Sequence, residues 1–346
     1  MRFDRDLFLR RALGHRDFWA SAIETREIHP KSVIERPAAI YADDLGDVTG
    51  VAPGIPLKTR LAYMKGGTEE LRETTAHRFR NLRISQGSIY SESGHVQLRK
   101  QRPRLFGKTE PVVFEAPTAL TCNRPSTSVY GHFSVEQMAR EILAEDMGLP
   151  TVTLPSLKSF WHEEQLRASL DLHATQIESA VLEDGWIFID RAKNRSFAER
   201  FERLRAKAGK AAATGKGSRL IYLRRGNSGA ERREIQNQEA FEEGLAKMGF
   251  ETLDATDPDL GKLTGALSEA RVTCTIEGSQ AAHHFLYAPR GSAILFLMPA
   301  DRFNHVWKEI CDFLDMPFSF VLGHVTTSQE YAYPLDKIEK ILGRVA

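Results

Sequence analysis

Cysteine is scarce in this sequence: Cys122, Cys274 and Cys311 are the only three in 346 residues. The number is odd, the spacing is wide and the neighbours are largely apolar. Neither a disulfide framework nor a cysteine metal site is expected, and the thiols read as reduced and packed. Long apolar runs are missing too. None approaches the roughly 18 residues that a membrane helix needs, and Met1-Arg2-Phe3-Asp4-Arg5-Asp6 has no signal-peptide core. Secretion and membrane spanning are therefore not expected, and the cytoplasm is the expected location, with peripheral membrane contact left open. Net charge is almost absent: 47 basic residues against 46 acidic leave +1, which argues against general nucleic-acid binding.

Several catalytic signatures are also missing. No Gly-x-Gly-x-x-Gly follows a strand pattern, which weighs against a dinucleotide oxidoreductase, and no Gly-x-Ser-x-Gly elbow is present. His162-Glu163-Glu164-Gln165 lacks the second histidine of a zinc helix. Gly215-Lys216 resembles a phosphate-binding P-loop only superficially. Five residues separate Gly209 from Gly215, Gly217 replaces the Ser or Thr, and no strand precedes it. Asp4-Arg5-Asp6 and Asp257-Pro258-Asp259 have the Asp-x-Asp spacing but are not taken as a clamp, and no metal and no cofactor are expected.

What is present is an α/β pattern long enough for two domains. Residues 4–25 carry a helical pattern, and the Pro- and Gly-rich stretch 28–65 reads as loops and short strands. A hairpin is predicted over 82–99 and a buried strand at Val112-Val113-Phe114. An amphipathic helix carries Val135, Met138, Ala139, Ile142, Leu143 and Met147 and ends at Gly148. Strands follow at Thr151–Leu154 and at 186–189, with a helix around 160–170 between them. Residues 206–219 form a basic linker. Beyond it, strands near 220, 251, 272, 293 and 318 alternate with helices, one of them opened by Asp257-Pro258, as in a doubly wound domain. The expected organisation is 1–205, the linker, 220–325, and a C-terminal segment, 326–346, packing back on the first domain.

Two strand ends in the second half hold the residues suited to a diphosphate. Leu220-Ile221-Tyr222-Leu223 breaks into Arg224-Arg225-Gly226, with Arg232-Arg233 beyond, and guanidinium forks match phosphate oxygens. Val272–Ile276 breaks into Glu277-Gly278-Ser279, read as a turn in which Ser279 starts a helix and offers backbone N–H groups. Glu277 could accept from ribose hydroxyls, and His283 and His284 lie one turn on, with a structural role the simpler reading for His284. These residues point to a nucleotide-sugar site. In the first half, Gly131-His132-Phe133 begins a helix, where the dipole disfavours the imidazolium form. His132 is then a candidate general base, with Glu136 one turn on to orient it; an interdomain or N-capping histidine is the alternative.

Residues 128–148 and 219–299 resemble glycosyltransferase family 61, in particular bacterial members linked to capsular polysaccharide biosynthesis. The resemblance rests on Tyr130-Gly131-His132-Phe133 with Glu136, on Tyr222-Leu223-Arg224-Arg225 continuing to Arg232-Arg233-Glu234-Ile235-Gln236-Asn237, and on Glu277-Gly278-Ser279-Gln280 with His283. It implies a GT-B-like fold of two facing Rossmann-like domains, with the acceptor side first and the donor side second. It also implies transfer with inversion and no obligatory metal. The implied partners are a nucleotide-diphosphate sugar and a glycan or other hydroxyl acceptor. The competing readings are a non-catalytic two-lobed protein that binds a nucleotide or other anion, and a methyl transferase. The latter would favour a glycine-rich turn after its first strand.

Overall fold

The computed structural model describes residues 17–100, 110–158, 160–209, 217–226, 233–327 and 330–345. The chain divides into two compact units, and neither is continuous in sequence. Residues 1–32 with 72–204 make the first, and 33–71 with 205–346 the second.

The first unit is built on a nine-stranded mixed sheet. Its spine is the long strand Thr74–Ser85, which turns through Gln86-Gly87 into Ser88–Tyr90 and then His95–Gln97. Both turn residues have positive φ, 49° and 69°, the combination that matches the twist of a tight hairpin. The hairpin predicted over 82–99 is thus present. Four further strands are parallel: β1 (Thr118–Leu120), β2 (Thr151–Thr153), β3 (Thr175–Gln176) and β4 (Ala180–Ile189). Their order is β3-β2-β1-β4, so the chain steps outward from β1 and then returns to its other side. The predicted apolar face packs as expected, with Met138, Ala139, Ile142 and Leu143 buried on the helix Met138–Asp146. Gly148, at φ +68°, follows the helix end.

Three expectations for this unit are corrected. The helix foreseen over 4–25 falls largely outside the described residues, and from Glu24 the chain is a strand, Glu24–His29, antiparallel to Thr74–Ser85. Val112–Phe114 is a strand but not a buried one: Val112 and Val113 are 55% and 52% exposed, because it lies off the main path of the sheet and pairs only with the start of β4. The sheet is also not wholly Rossmann-like, since β4 pairs antiparallel with Thr74–Ser85.

The second unit carries five parallel strands, β5 (Arg219–Arg224), β6 (Phe250–Asp254), β7 (Ala270–Ile276), β8 (Ala293–Pro299) and β9 (Phe318–Thr327), in the order β6-β5-β7-β8-β9. β7 and β8 are buried almost throughout, and β8 is wholly apolar, because both faces of such a sheet are covered. The helix Gln238–Lys247 follows the first of these strands, and Gly249, at φ +92°, stands just beyond it. The helix foreseen at Asp257-Pro258 begins two residues later. The Asp259 side chain accepts from the Gly261 N–H at 2.9 Å and caps Leu260–Leu267, while Asp257 accepts from the Asp259 N–H.

The unit boundaries also differ from those read in the sequence. Residues 33–71 belong to the second unit: Ile40–Tyr41 adds a parallel strand beside β9, and Asp43 accepts from the Leu322 N–H at 3.0 Å and pairs with Lys337. Arg36 pairs with Glu69 and Asp312. The C-terminal helix Leu335–Val345 buries Ile338, Ile341, Leu342 and Val345 in the cluster that holds Tyr222 and Val272, so it is part of the second unit's core. Part of the foreseen basic linker continues a helix, Arg195–Lys207, and residues 210–216 lie outside the described part.

Candidate functional site

Each unit has a point where the strand order reverses, and crevices for ligands form beyond the carboxyl ends of the strands at such points. In the first unit the reversal falls between β1 and β4. A π-helical turn, His132–Gln137, leads into the helix that follows β1, and turns of this type occur often at functional sites. It presents His132 with its side chain about a third exposed, Nδ1 3.1 Å from Glu136 Oε2. The other oxygen of Glu136 accepts from Lys193 Nζ at 2.9 Å. Lys193 stands four residues beyond the end of β4, and its ammonium lies 4.3 Å from the centre of the Phe197 ring.

Burial works against the charge on Glu136. Lys193, His132 and Arg140 outweigh it and hold the carboxyl far below the usual carboxylate range. An ionised Glu136 accepts the Nδ1–H of His132, which fixes that tautomer and leaves Nε2 as a proton acceptor. Phe133 of the same motif is packing rather than a ligand platform: it is buried against Phe160 at 5.3 Å, with the Arg167 guanidinium 5.1 Å from its ring. Behind Glu136, Arg200 pairs with both oxygens of Asp190 at 2.9 Å, and Arg140 Nε donates to Thr121 O at 2.7 Å. Lys193 was not foreseen. The signal for it was its place just past a strand end, the same reasoning that singled out Arg224 and Arg225.

In the second unit the reversal falls between β5 and β7, the two strands whose ends carry the foreseen residues. The structure brings several of them together around Glu277. Arg225 Nη1 lies 3.5 Å from the Glu277 carbonyl oxygen, which also accepts from Arg233. The carboxylate accepts from Arg233, from Arg302 at 2.9 Å and from the Asn304 amide at 2.9 Å. Asn304 in turn accepts from Arg60, which also donates to Ala52 O at 2.8 Å and lies 3.3 Å from His305 Nδ1. Arg60, Arg302 and Asn304 were absent from the sequence reading. They come from the 33–71 segment and from the turn after β8, neither of which carries a recognisable motif.

Other foreseen residues are placed differently. Glu277 is nearly buried and its carboxylate is already held by two arginines and an amide, so it organises guanidinium groups where it was expected to take ribose hydroxyls. Arg224 points to the next strand, 3.0 Å from Asp254 and 3.6 Å from Glu242. Ser279 does not start the helix, which spans Ala281–Tyr287 with its first N–H groups already turned onto the carbonyls of Gly278, Ser279 and Gln280. The Gln280 side chain lies across Gly278, where a Cβ would stand 2.5 Å from Gln280 Oε1. His283 is buried and stacked on Tyr287, with ring centres 6.5 Å apart. His284 is buried with Nδ1 2.9 Å from Thr273 Oγ1, a structural position. Arg232 lies outside the described residues.

Among the described residues no group of three or more His, Cys, Asp or Glu converges as a metal site requires, and no helix is long and apolar enough to cross a membrane. The three cysteines are buried and make no disulfide. Residues 130–295, just under half of the chain, match the family model described as Glycosyltransferase 61. They include the His132 turn and both strand ends of the Glu277 cluster. No curated protein matches the chain.

Proposed function

Residues 130–295 belong to glycosyltransferase family 61, and on that premise we propose that the protein transfers a sugar from a nucleoside-diphosphate sugar to a hydroxyl of a glycan or related acceptor. The reading takes the transfer to invert the anomeric carbon, in the building of a surface polysaccharide in the cytoplasm. It takes the enzyme to be of GT-B type, with the first unit activating the acceptor and the second holding the donor. The observation that carries it is the set of guanidinium groups of Arg225, Arg233 and Arg302 drawn to Glu277 at the β5/β7 reversal. Guanidinium groups gathered at one strand-end turn suit the two phosphates of a donor and the charge that develops on the leaving diphosphate. His132 Nε2 takes the proton of the acceptor hydroxyl as its oxygen bonds to the anomeric carbon and the bond to the diphosphate breaks.

The test is a panel of nucleoside diphosphates and nucleotide sugars, followed by binding and by sugar release. Arg225→Ala is expected to weaken nucleoside-diphosphate binding roughly tenfold to a hundredfold, the worth of one charge-assisted contact. Unchanged affinity in Arg225→Ala, Arg233→Ala and their double variant would remove the cluster from the donor site. Tight binding with no transfer or release for any donor would leave a binding protein in place of an enzyme.

The same arginines allow the leaving diphosphate to be stabilised without a divalent ion. Turnover in excess chelator is therefore expected to stay within about twofold of the untreated rate, a change of under half a kcal/mol in the barrier. Loss of turnover in chelator, restored by magnesium or manganese, would defeat this part of the reading.

A further inference from the structure

We propose that Lys193 is a positioning residue for His132, acting through the Glu136 carboxylate. The proposal rests on the reading of His132 as the base. Glu136 bridges the two, with one oxygen 3.1 Å from His132 Nδ1 and the other 2.9 Å from Lys193 Nζ. The Lys193 side chain is only 3% exposed. A lysine buried to that extent carries a desolvation cost, which an ordinary core position would avoid with an apolar residue. The neighbouring acid does not account for it, since Asp190 is paired through both oxygens with Arg200 and also accepts from Thr74 at 3.2 Å. Lys193 sits on a different element from the histidine, in the turn between β4 and the helix Arg195–Lys207, so the contact ties the helix start after β1 to the end of β4.

The charges facing this chain define what Lys193 does. Glu136 and Arg140 come from the helix of His132, Lys193 and Asp190 from the end of β4, and Arg200 from the helix Arg195–Lys207. Arg140 lies buried beside Glu136, with its Nε spent on Thr121 O. With Lys193 in place, Glu136 is ionised and divides its field between an ammonium and an imidazole. It then orients the Nδ1–H without bearing wholly on His132. Without the ammonium, the carboxylate favours the imidazolium more strongly and the base is lost at higher pH.

Two variants should therefore move the acidic limb of kcat/KM in opposite directions. Lys193→Gln, which keeps a hydrogen-bond donor and removes the charge, is expected to raise it by about half to one pH unit. The rate above the limb should change less than threefold, roughly 0.6 kcal/mol or less. Glu136→Gln is expected to lower the limb and the plateau together. Lys193→Arg should restore the limb of the unaltered protein. In a Glu136→Gln background Lys193→Gln should add nothing further, since both act through one carboxylate. This double variant also buries no unpaired charge and covers the case in which Lys193→Gln alone does not fold.

The His132 imidazole followed by NMR separates the two levels of the argument. A proton uptake that rises in pH with Lys193→Gln, with no matching change in turnover, would sink His132 as the base and leave the positioning intact. A limb and an imidazole titration that stay fixed or move down in Lys193→Gln would overturn the role of Lys193. So would a further shift on adding Lys193→Gln to Glu136→Gln.

Discussion

His132→Ala is expected to lower the single-turnover rate of sugar transfer at saturating donor by about 10²–10⁴-fold, the usual worth of a general base. Donor affinity should stay within about twofold, under half a kcal/mol, because the donor contacts proposed above are all in the second unit. The size of the effect follows from the chemistry. An acceptor hydroxyl attacks weakly while it holds its proton, and Nε2 is the one nitrogen of His132 not turned towards Glu136. The alanine leaves a small hole at a position about a third exposed, so the variant should fold, which circular dichroism checks. Near-normal transfer by the folded variant would hand the role of base to another residue of the first unit. Equal loss of donor binding would instead show that His132 belongs to the donor site.

The second large effect is acid sensitivity of the second unit. Burial, with help from the Arg205 guanidinium, pushes His284 down to about 3. Burial together with Arg60, Arg36 and Lys308 pushes His305 down to about 4, and Glu309 at 3.8 Å from its Nε2 does not offset them. In the unfolded chain both titrate near the ordinary value of about 6.5. Above that pH neither form binds the protons and the two histidines contribute no pH dependence. As the pH falls from about 6.5 towards 4, the unfolded chain takes up both protons while the folded unit takes up neither. Stability then drops by roughly 1.4 kcal/mol per pH unit for each histidine.

Urea unfolding between pH 7 and 4.5 should show that slope. His284→Asn keeps a polar group near Thr273 and does not titrate, so it should flatten the slope by about one proton's worth. An unchanged slope in His284→Asn would mean that the imidazole is already accessible to protons in the folded unit.

Legibility in the sequence followed periodicity and failed where contacts are made by isolated polar groups. The alternation beyond residue 219 gave β5 to β9, because strands covered on both faces are written as short runs rich in apolar and β-branched residues, but it did not give the parallel strand Ile40–Tyr41. Strand ends gave the right two turns for the Glu277 cluster, and the four-residue step from His132 to Glu136 gave their contact. Lys193 is 57 residues from its partner in sequence, and no local pattern encodes a meeting of that range. Glu277 was read as a ligand because its partners were invisible: Arg302 and Asn304 follow β8 in an unremarkable turn. The segment 33–71 has no amphipathic period: it holds the small sheet of Ser32–Arg36 with Gly67–Leu71, a two-residue strand, short helical pieces and a few buried ion pairs such as Arg36 with Asp312. Its membership of the second unit could not be read from composition.

That membership has a consequence for the order in which the protein can be made. The strand Ile40–Tyr41 leaves the ribosome early, yet its pairing partner β9 is among the last strands to be synthesised. At typical elongation rates of about 5–20 residues per second, the early segment waits on the order of 15–50 seconds for β9. Throughout that interval Ile40 and Tyr41 lack their native strand partner and Arg36 lacks Asp312. The first unit can close in the meantime, since residues 72–204 are complete long before β9. A nascent chain stalled just past residue 219 should thus hold one finished unit and a sticky amino-terminal segment, and chaperone engagement should concentrate on 33–71 until translation ends.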